Sequence, residues 1–138
     1  MIKAQLNRQL MIQLKDATGT LAEVTSVISA SGINILALCA YAVEETVAIM
    51  FVTQDNNAAK QILEAKGYDI VEEEVLLLSV ENKPGALQGV TDKLAEAGID
   101  LNLIYGSVDK SADMCKIVMI AQDNLSAMMV IKNEFGRQ

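Results

Sequence analysis

The sequence contains no histidine, no tryptophan, one proline, two cysteines and five aromatic residues. Without histidine, the chain lacks the commonest general base and the commonest nitrogen ligand for metals. Cys39 and Cys115 are too few for a disulfide framework, and we expect buried free thiols. These absences favour a protein with no metal, no cofactor and no catalytic residues.

Positive charge and long apolar runs are also scarce. The chain carries 11 Lys plus Arg against 18 Asp plus Glu, for a net charge of −7. A nucleic-acid-binding protein needs a basic stripe, so binding to nucleic acid is not expected. No apolar run could span a bilayer, and the first ten residues lack the apolar block of a secretory signal. The expected location is cytoplasmic, away from membranes.

A folded core is nevertheless indicated, because 51% of the residues are hydrophobic and the mean hydropathy is +0.28. The chain also matches itself at a displacement of 66 positions. Turn, cap and core residues recur together: Gly19 with Gly85, Leu21 with Leu87, Val24 with Val90, Thr25 with Thr91, Gly32 with Gly98 and Ile33 with Ile99. The sequence therefore predicts two copies of one small fold, with residues 1–73 as the first unit and 74–138 as the second.

Each copy is predicted to run strand–helix–strand–strand–helix–strand, the ferredoxin-like α+β order with an antiparallel sheet. Leu10–Leu14 and Val75–Val80 are the predicted first strands. A capping box of Thr20 and Glu23 is expected at one helix start. The acidic run Glu72-Glu73-Glu74 is interpreted as a solvated linker between the copies.

The second copy has only two residues after Gly136, so it is predicted to lack most or all of its last strand. Something must then cover the open sheet edge. Residues 1–6, in which apolar residues alternate, are one alternative, and a partner chain is the other.

Two features of each copy suit a ligand. A glycine turn leads directly into a helix start at Gly19–Leu21 and at Gly85–Leu87, where backbone N–H groups favour a carboxylate. Asn34 and Asp100 follow the helices and carry oxygens suited to an ammonium group. Together these groups indicate an α-amino acid, although glycine turns before helices also serve purely structural roles.

The segments Lys15-Asp-Ala-Thr-Gly-Thr-Leu21 with Ser31-Gly-Ile-Asn34, and Glu81-Asn-Lys-Pro-Gly-Ala-Leu87 with Ala97-Gly-Ile-Asp100, resemble the signatures of the ACT domain. Nearly the whole chain is similar to the stand-alone tandem ACT proteins of bacteria, with Thr18 where the usual pattern has proline. The resemblance implies ACT units that pair side by side and bind amino-acid effectors at the pairing interface, often with residues from two units. It also implies a non-enzymatic, allosteric regulatory role. The open sheet edge of the second copy makes a homodimer the expected state.

Carried over by position, the resemblance implies two groups of ligand-binding residues in each copy. The loop between the first strand and the first helix gives Asp16, Thr18, Gly19, Thr20 and Leu21, then Asn82, Pro84, Gly85, Ala86 and Leu87. The start of the second strand gives Asn34, Ile35, Asp100 and Leu101. If only one site binds, we expect the Pro84–Leu87 loop to be the one.

Two other functions remain open. The chain could be a constitutive interaction or oligomerisation module, or a regulatory subunit, that binds a partner protein without any ligand. Leu36, Leu38, Leu103 and Ile104 would fill its interface. An enzyme is the least favoured alternative, because no convergent set of acids and bases is visible in the sequence.

Overall fold

The computed structural model describes residues 2–15 and 18–136. Within these ranges the elements are β1 (Lys3–Lys15), α1 (Thr20–Ala30), β2 (Ile35–Val43), β3 (Thr46–Thr53), α2 (Asn56–Ala65), β4 (Val71–Glu81), α3 (Ala86–Glu96), β5 (Leu101–Ser107), β6 (Met114–Ala121) and α4 (Asn124–Phe135). Their order agrees with the predicted pattern except between α2 and α3. There the single strand β4 replaces the predicted last strand of the first copy, about residues 68–72, and the predicted first strand of the second copy.

The chain forms two compact units. The first unit is Arg8–Glu73, and the second unit is Glu74–Gln138 together with Met1–Asn7. Assigning all of residues 1–73 to the first unit was therefore wrong for the first seven residues. The physical reason is that β1 is 13 residues long, which is enough for one strand to contribute to both units.

Each unit has the ferredoxin-like strand order. In the first unit the order is β2-β3-β1-β4, and in the second it is β5-β6-β4-β1. The registers are antiparallel, with Leu10 opposite Phe51 in the first unit and Leu78 opposite Ile117 in the second. Matching register shifts occur near the start of β2 and of β5. The predicted α+β fold with two repeated units is confirmed.

The last strand position of the second unit is filled by the chain's own N-terminal segment. No strand follows α4 in the described residues, which end at Gly136. Residues 3–7 of β1 lie in the second unit, where β1 neighbours β4. Ile2 and Ala4 pack against that unit's core. Of the two alternatives for covering this edge, the structure shows the N-terminal segment.

The acidic run at residues 72–74 is part of a strand. Glu72, Glu73 and Glu74 all lie inside β4, which continues without a break from Val71 to Glu81. Glu72 forms ion pairs with Arg8 at 3.4 Å and with Lys60 at 3.6 Å. The linker interpretation was therefore wrong, because basic partners on β1 and α2 allow acidic side chains in the strand.

The glycine turns have the same backbone conformation in both units. Gly19 and Gly85 have φ values of +88° and +85° and form the N-caps of α1 and α3. Such left-handed angles favour glycine because it has no Cβ. Thr20 is the first residue inside α1 and not its cap, so the predicted capping box does not form.

The helix ends also repeat. Gly32 and Gly98 have φ values of +74° and +72° and follow the last residues of their helices. The next N–H groups, of Ile33 and Ile99, donate to the carbonyls of Ile28 and Leu94 at 3.4 and 2.9 Å. These bonds satisfy carbonyls that would otherwise be unpaired at the helix end. Both glycines therefore end their helices.

Each unit has its own hydrophobic core between its sheet and its two helices. Phe51 is fully buried in the first core, and Met119 is fully buried in the second. Both cysteines are free thiols: Cys115 is buried and Cys39 is half-buried. Two separate cores explain how one short chain can carry two copies of the same loops.

Candidate ligand-binding loops

The four helix starts fall into two types. The N-caps of α2 and α4 are Asp55 and Asp123, whose carboxylates each accept a backbone hydrogen bond at 3.1 Å. The N-caps of α1 and α3 are glycines with no side chain to accept such a bond. In the described residues, the N–H groups of Leu21 and Ala22 and those of Leu87 and Gln88 donate no hydrogen bond. These free donors can bind an anionic group.

In the first unit a cavity of about 420 Å³ opens beside the uncapped start of α1. Its walls are the helix start, the far end of β2 and the start of β3: Thr18, Gly19, Thr20, Leu21, Ala22, Ala40, Tyr41, Ala42 and Val47. None of these residues has a charged side chain. The cavity therefore combines free backbone donors with neutral and apolar walls. Asp16, which was also predicted for this site, lies outside the described residues.

In the second unit the equivalent loop borders a smaller cavity of about 230 Å³. Gly85 and Ala86 line it, together with Ile2, Glu81, Lys83, Gly89 and Phe135. Lys83 and Glu81 form an ion pair at 3.0 Å. Pro84 and Leu87 are exposed on the loop and do not line the cavity. The two copies of the loop thus have different surroundings.

Asn82 is hydrogen-bonded to the loop between β5 and β6. Its side-chain amide donates to the carbonyls of Asp109 and Ala112 at 3.0 and 2.9 Å. Its backbone N–H donates to the carbonyl of Asp113 at 2.8 Å. These bonds hold the β5–β6 loop next to the glycine turn, so both side-chain N–H groups are already engaged within the unit.

Asn34 and Asp100 occupy equivalent positions in the two units. Each backbone carbonyl accepts a hydrogen bond at 2.9 Å, from Gln54 and from Gln122 respectively. Both residues are exposed, and neither side chain has a hydrogen-bond partner among the described residues. The following residues, Ile35 and Leu101, are half-buried against the two cores. The side-chain oxygens of Asn34 and Asp100 are therefore free to bind a ligand.

Within one unit, however, the two predicted groups are far apart. Gly19–Leu21 lies at the start of α1, whereas Asn34 follows its end. A helix of 11 residues is about 16 Å long. The same separation holds for Gly85–Leu87 and Asp100. The carboxylate and ammonium of one amino acid cannot reach both groups of a single unit.

The wall of the first-unit cavity includes three β2 residues that were not among the predicted site residues: Ala40, Tyr41 and Ala42. Tyr41 is 49% exposed. Because α1 and β2 run in opposite directions, the start of the helix lies beside the end of the strand. The antiparallel course of α1 and β2 is therefore the feature that could have identified these β2 residues as part of the site.

A further contact ties α1 to the chain after α2. The Tyr68 hydroxyl donates a hydrogen bond to the Glu23 carboxylate. Burial, together with this hydrogen bond and the charge of Glu23, raises the pKa of Tyr68 to about 12. The phenol is therefore neutral at physiological pH and acts as a hydrogen-bond donor that positions the helix.

Two negative findings concern other kinds of site. Among residues 2–15 and 18–136, no three His, Cys, Asp or Glu side chains are grouped so that they could hold a metal ion. In the same part of the chain, no helix combines the length and the apolar character needed to cross a membrane.

The fold defines a tandem of ferredoxin-like domains, and solved structures with this architecture match over most of the chain. Protein BT0572 from Bacteroides thetaiotaomicron is 25% identical, with a TM-score of 0.87 over 95% of this chain and 90% of that one. The regulatory subunits of aspartate kinase from Thermus thermophilus and Thermus flavus are both 15% identical, with TM-scores of 0.69 and 0.59. Each match covers 97% of this chain and 96% of the subunit.

The family match is more specific than the fold. Residues 8–66, which lie within the first unit, match the model of the ACT domain. The second unit repeats its strand order, glycine turns and helix ends. The resemblance to the ACT domain is thereby confirmed for the first unit, and the repeated fold supports a tandem of such units. No curated protein matches the chain significantly.

Proposed function

We propose that this protein is a non-enzymatic regulatory protein that senses a free α-amino acid at the glycine loops of its ACT units. The observation that carries the proposal is the uncapped helix start at Gly19 and at Gly85. In the same chain, the two other helices are capped by aspartate side chains. The ACT domain match supports a regulatory, ligand-sensing role, and the T. thermophilus and T. flavus relatives are described as regulatory subunits.

The ligand carboxylate binds the free N–H groups at the helix start, where the helix dipole also favours negative charge. Its ammonium group binds the side-chain oxygen of Asn34 or Asp100. Because one unit separates these groups by the length of a helix, the ammonium ligand comes from an ACT unit of a second copy of the chain. The site is then an interface between ACT units, and a homodimer is part of the mechanism.

Regulation follows from this arrangement. An amino acid that binds only when two ACT units are paired favours the paired state by its differential affinity. The paired state then presents a different surface to a regulated partner protein. Other predicted residues, Thr18, Thr20, Leu21, Pro84, Ala86 and Leu87, shape the loops around the bound carboxylate.

The test is a thermal-shift screen of the protein against the twenty amino acids. A ligand at about a hundred times its dissociation constant adds about 2.7 kcal/mol of stability, which raises the melting temperature by several degrees. We expect one amino acid, or a few related ones, to give this response. A folded sample that responds to none of them contradicts the proposal.

Three glycine variants localise the site. Gly19→Val and Gly85→Val place a β-branched residue at a positive φ angle, and so does the control Gly67→Val at the end of α2. An added Cβ meets no atom within 4 Å at any of the three positions, so backbone strain is their common cost. We expect the control to keep the ligand response and at least one loop variant to lose it. Equal responses in all three variants would place the ligand elsewhere.

A constitutive interaction module is the second candidate. It is favoured by exposed apolar side chains on β2 and β5, the outer strands of the two units' sheets: Leu38, Tyr41, Val43 and Ile104. Exposed apolar edge strands favour association with another chain. Sedimentation analysis separates the candidates, because a module of this kind dimerises equally with and without amino acids, whereas a sensor dimerises more tightly with its effector.

A further inference from the structure

The second unit carries a transverse row of polar side chains on the sheet face that its helices do not cover. Ser79 of β4 is opposite Lys116 of β6, and Lys116 is opposite Ser107 of β5. The flanking residues Leu78 and Ile117 belong to the core between sheet and helices. Because side chains alternate along a strand, the serines and the lysine point to the other face.

Lys3 extends this row onto β1. Its neighbours Ile2 and Ala4 pack against the core, so Lys3 points away from it. Together these strands enclose a cavity of about 300 Å³ that belongs entirely to the second unit. Its lining is Lys3, Ala4, Gln5, Leu77, Leu78, Ser79 and Lys116. No acidic side chain is among them.

The two lysines differ from Lys60, Lys83 and Lys93, each of which forms an ion pair. Within residues 2–15 and 18–136, neither the Lys3 nor the Lys116 side chain has an ion-pair or hydrogen-bond partner. Glu81, two residues beyond Ser79 on β4, is paired with Lys83 at 3.0 Å. Two cations without an ion-pair partner therefore border one cavity, in a protein with a net charge of −7.

The first unit has no such row. By the repeat, Gln13 corresponds to Ser79 and Ala48 to Lys116, and these two residues are also opposite each other in their sheet. The repeated fold therefore does not require lysine at this place. The cationic cavity belongs to the second unit alone and is separate from the glycine loops.

We propose that this cavity binds a small molecule bearing an oxyanion, either a phosphate or a carboxylate group. The ammonium groups of Lys3 and Lys116 supply the charge that attracts the oxyanion. The Ser79 hydroxyl and the Gln5 amide supply directional hydrogen-bond donors. Leu77 and Ala4 provide an apolar surface for the carbon part of the ligand.

Nuclear magnetic resonance titration tests this site with inorganic phosphate and with succinate as separate probes, against sodium chloride at equal ionic strength. We expect the backbone amide signals of Ser79 and Lys116 to shift with at least one probe and not with chloride. Shifts with phosphate alone show a preference for phosphate, and shifts with succinate alone show a preference for carboxylate. Shifts with both probes show that the cavity binds either oxyanion. No shift with either probe at millimolar concentration overturns the proposal.

The matched variants are Lys3→Gln with Lys116→Gln, and Lys66→Gln as the control. Lys66 is an exposed lysine at the end of α2 in the other unit. Loss of two charge-assisted contacts weakens probe binding about tenfold or more, whereas the control leaves it unchanged. Equal binding by the double variant, or equal loss in the control, overturns the site. The amino-acid response of the glycine loops is retained in all of these variants, so the two proposals fail independently.

Discussion

The N-cap residue is aspartate in two of the described helices and glycine in the other two. Asp55 and Asp123 accept hydrogen bonds from the first turns of α2 and α4. Gly19 and Gly85 accept none with a side chain and leave the first turns of α1 and α3 open. One residue at each helix start thus decides whether the backbone donors serve the fold or remain available to a ligand.

Asp123 gives a prediction at this scale. The backbone N–H of Ser126 donates to its carboxylate, which holds the pKa of Asp123 below its usual value. A pKa lowered by folding contributes stability above the unfolded-state pKa, about 3.9, and the contribution is lost as the pH falls. We expect Asp123→Ala to lower the melting temperature by a few degrees at pH 7, and the difference from the unmodified protein to shrink below about pH 4.

The control for this prediction is Asp92→Ala. Asp92 is an exposed acid within α3, and it caps no helix. Calorimetric melting from pH 2 to pH 8 compares the three proteins. A pH-independent difference between Asp123→Ala and the unmodified protein would contradict the assigned role of the carboxylate.

At the scale of elements, the residue after each aspartate cap joins a helix to a strand. Asn56 accepts from the N–H of Thr53 at 2.9 Å and donates to the carbonyl of Arg8 at 2.8 Å. Asn124 accepts from the N–H of Ala121 at 2.8 Å and donates to the carbonyl of Glu74 at 3.2 Å. The same bridge between sheet and helix thus occurs in both units.

We expect Asn124→Ala to lower the free energy of unfolding by about 1–3 kcal/mol, because it leaves buried backbone groups without a partner. Urea unfolding measures this change. Asn57→Ala is the matched control, since Asn57 is exposed in the first turn of α2. If the two variants are equally stable, the bridge does not stabilise the fold.

Local patterns in the sequence predict part of the structure at the scale of elements. Glycine turns act over a few residues, so the starts of α1 and α3 at Gly19 and Gly85 are predicted where the structure has them. The continuous strand β4 was not predicted, because its acidic residues are stabilised by Arg8 and Lys60, which are distant in sequence. The separation of Asn34 from Gly19 was also not predicted, because it follows from the length of the folded helix α1 between them.

At the scale of the whole molecule, the first residues of the chain complete the sheet of the second unit. Residues 3–7 occupy the last strand position of the second unit, although they precede the first unit in the chain. The N-terminal segment is therefore part of the second unit's sheet. Sequence comparison of the two copies indicated the vacant position and gave two alternatives for filling it.

Deleting residues 1–7 tests this role. The deletion exposes the edge of β4 and removes Ile2 and Ala4 from the second core. Loss of several sheet hydrogen bonds, each worth about 1 kcal/mol, lowers the melting temperature by about 10 °C or more. Hydrogen exchange measured by residue should show the loss in β4 and β6 first.

The control keeps the strand and changes only exposed side chains, with Lys3→Ser and Gln5→Ser. We expect this double variant to retain the exchange protection of the second unit. Unchanged protection in the deletion variant would show that the N-terminal segment does not stabilise the second unit.

The central claim is that free backbone donors at the glycine loops bind the carboxylate of an amino acid. Amide-resolved nuclear magnetic resonance, with the twenty amino acids added in small pools, tests it most directly. The account predicts that one pool shifts the signals of Leu21 and Ala22, of Leu87 and Gln88, or of both pairs, together with Asn34 or Asp100. Shifts confined to other parts of the chain, or no shift with any pool, would contradict it.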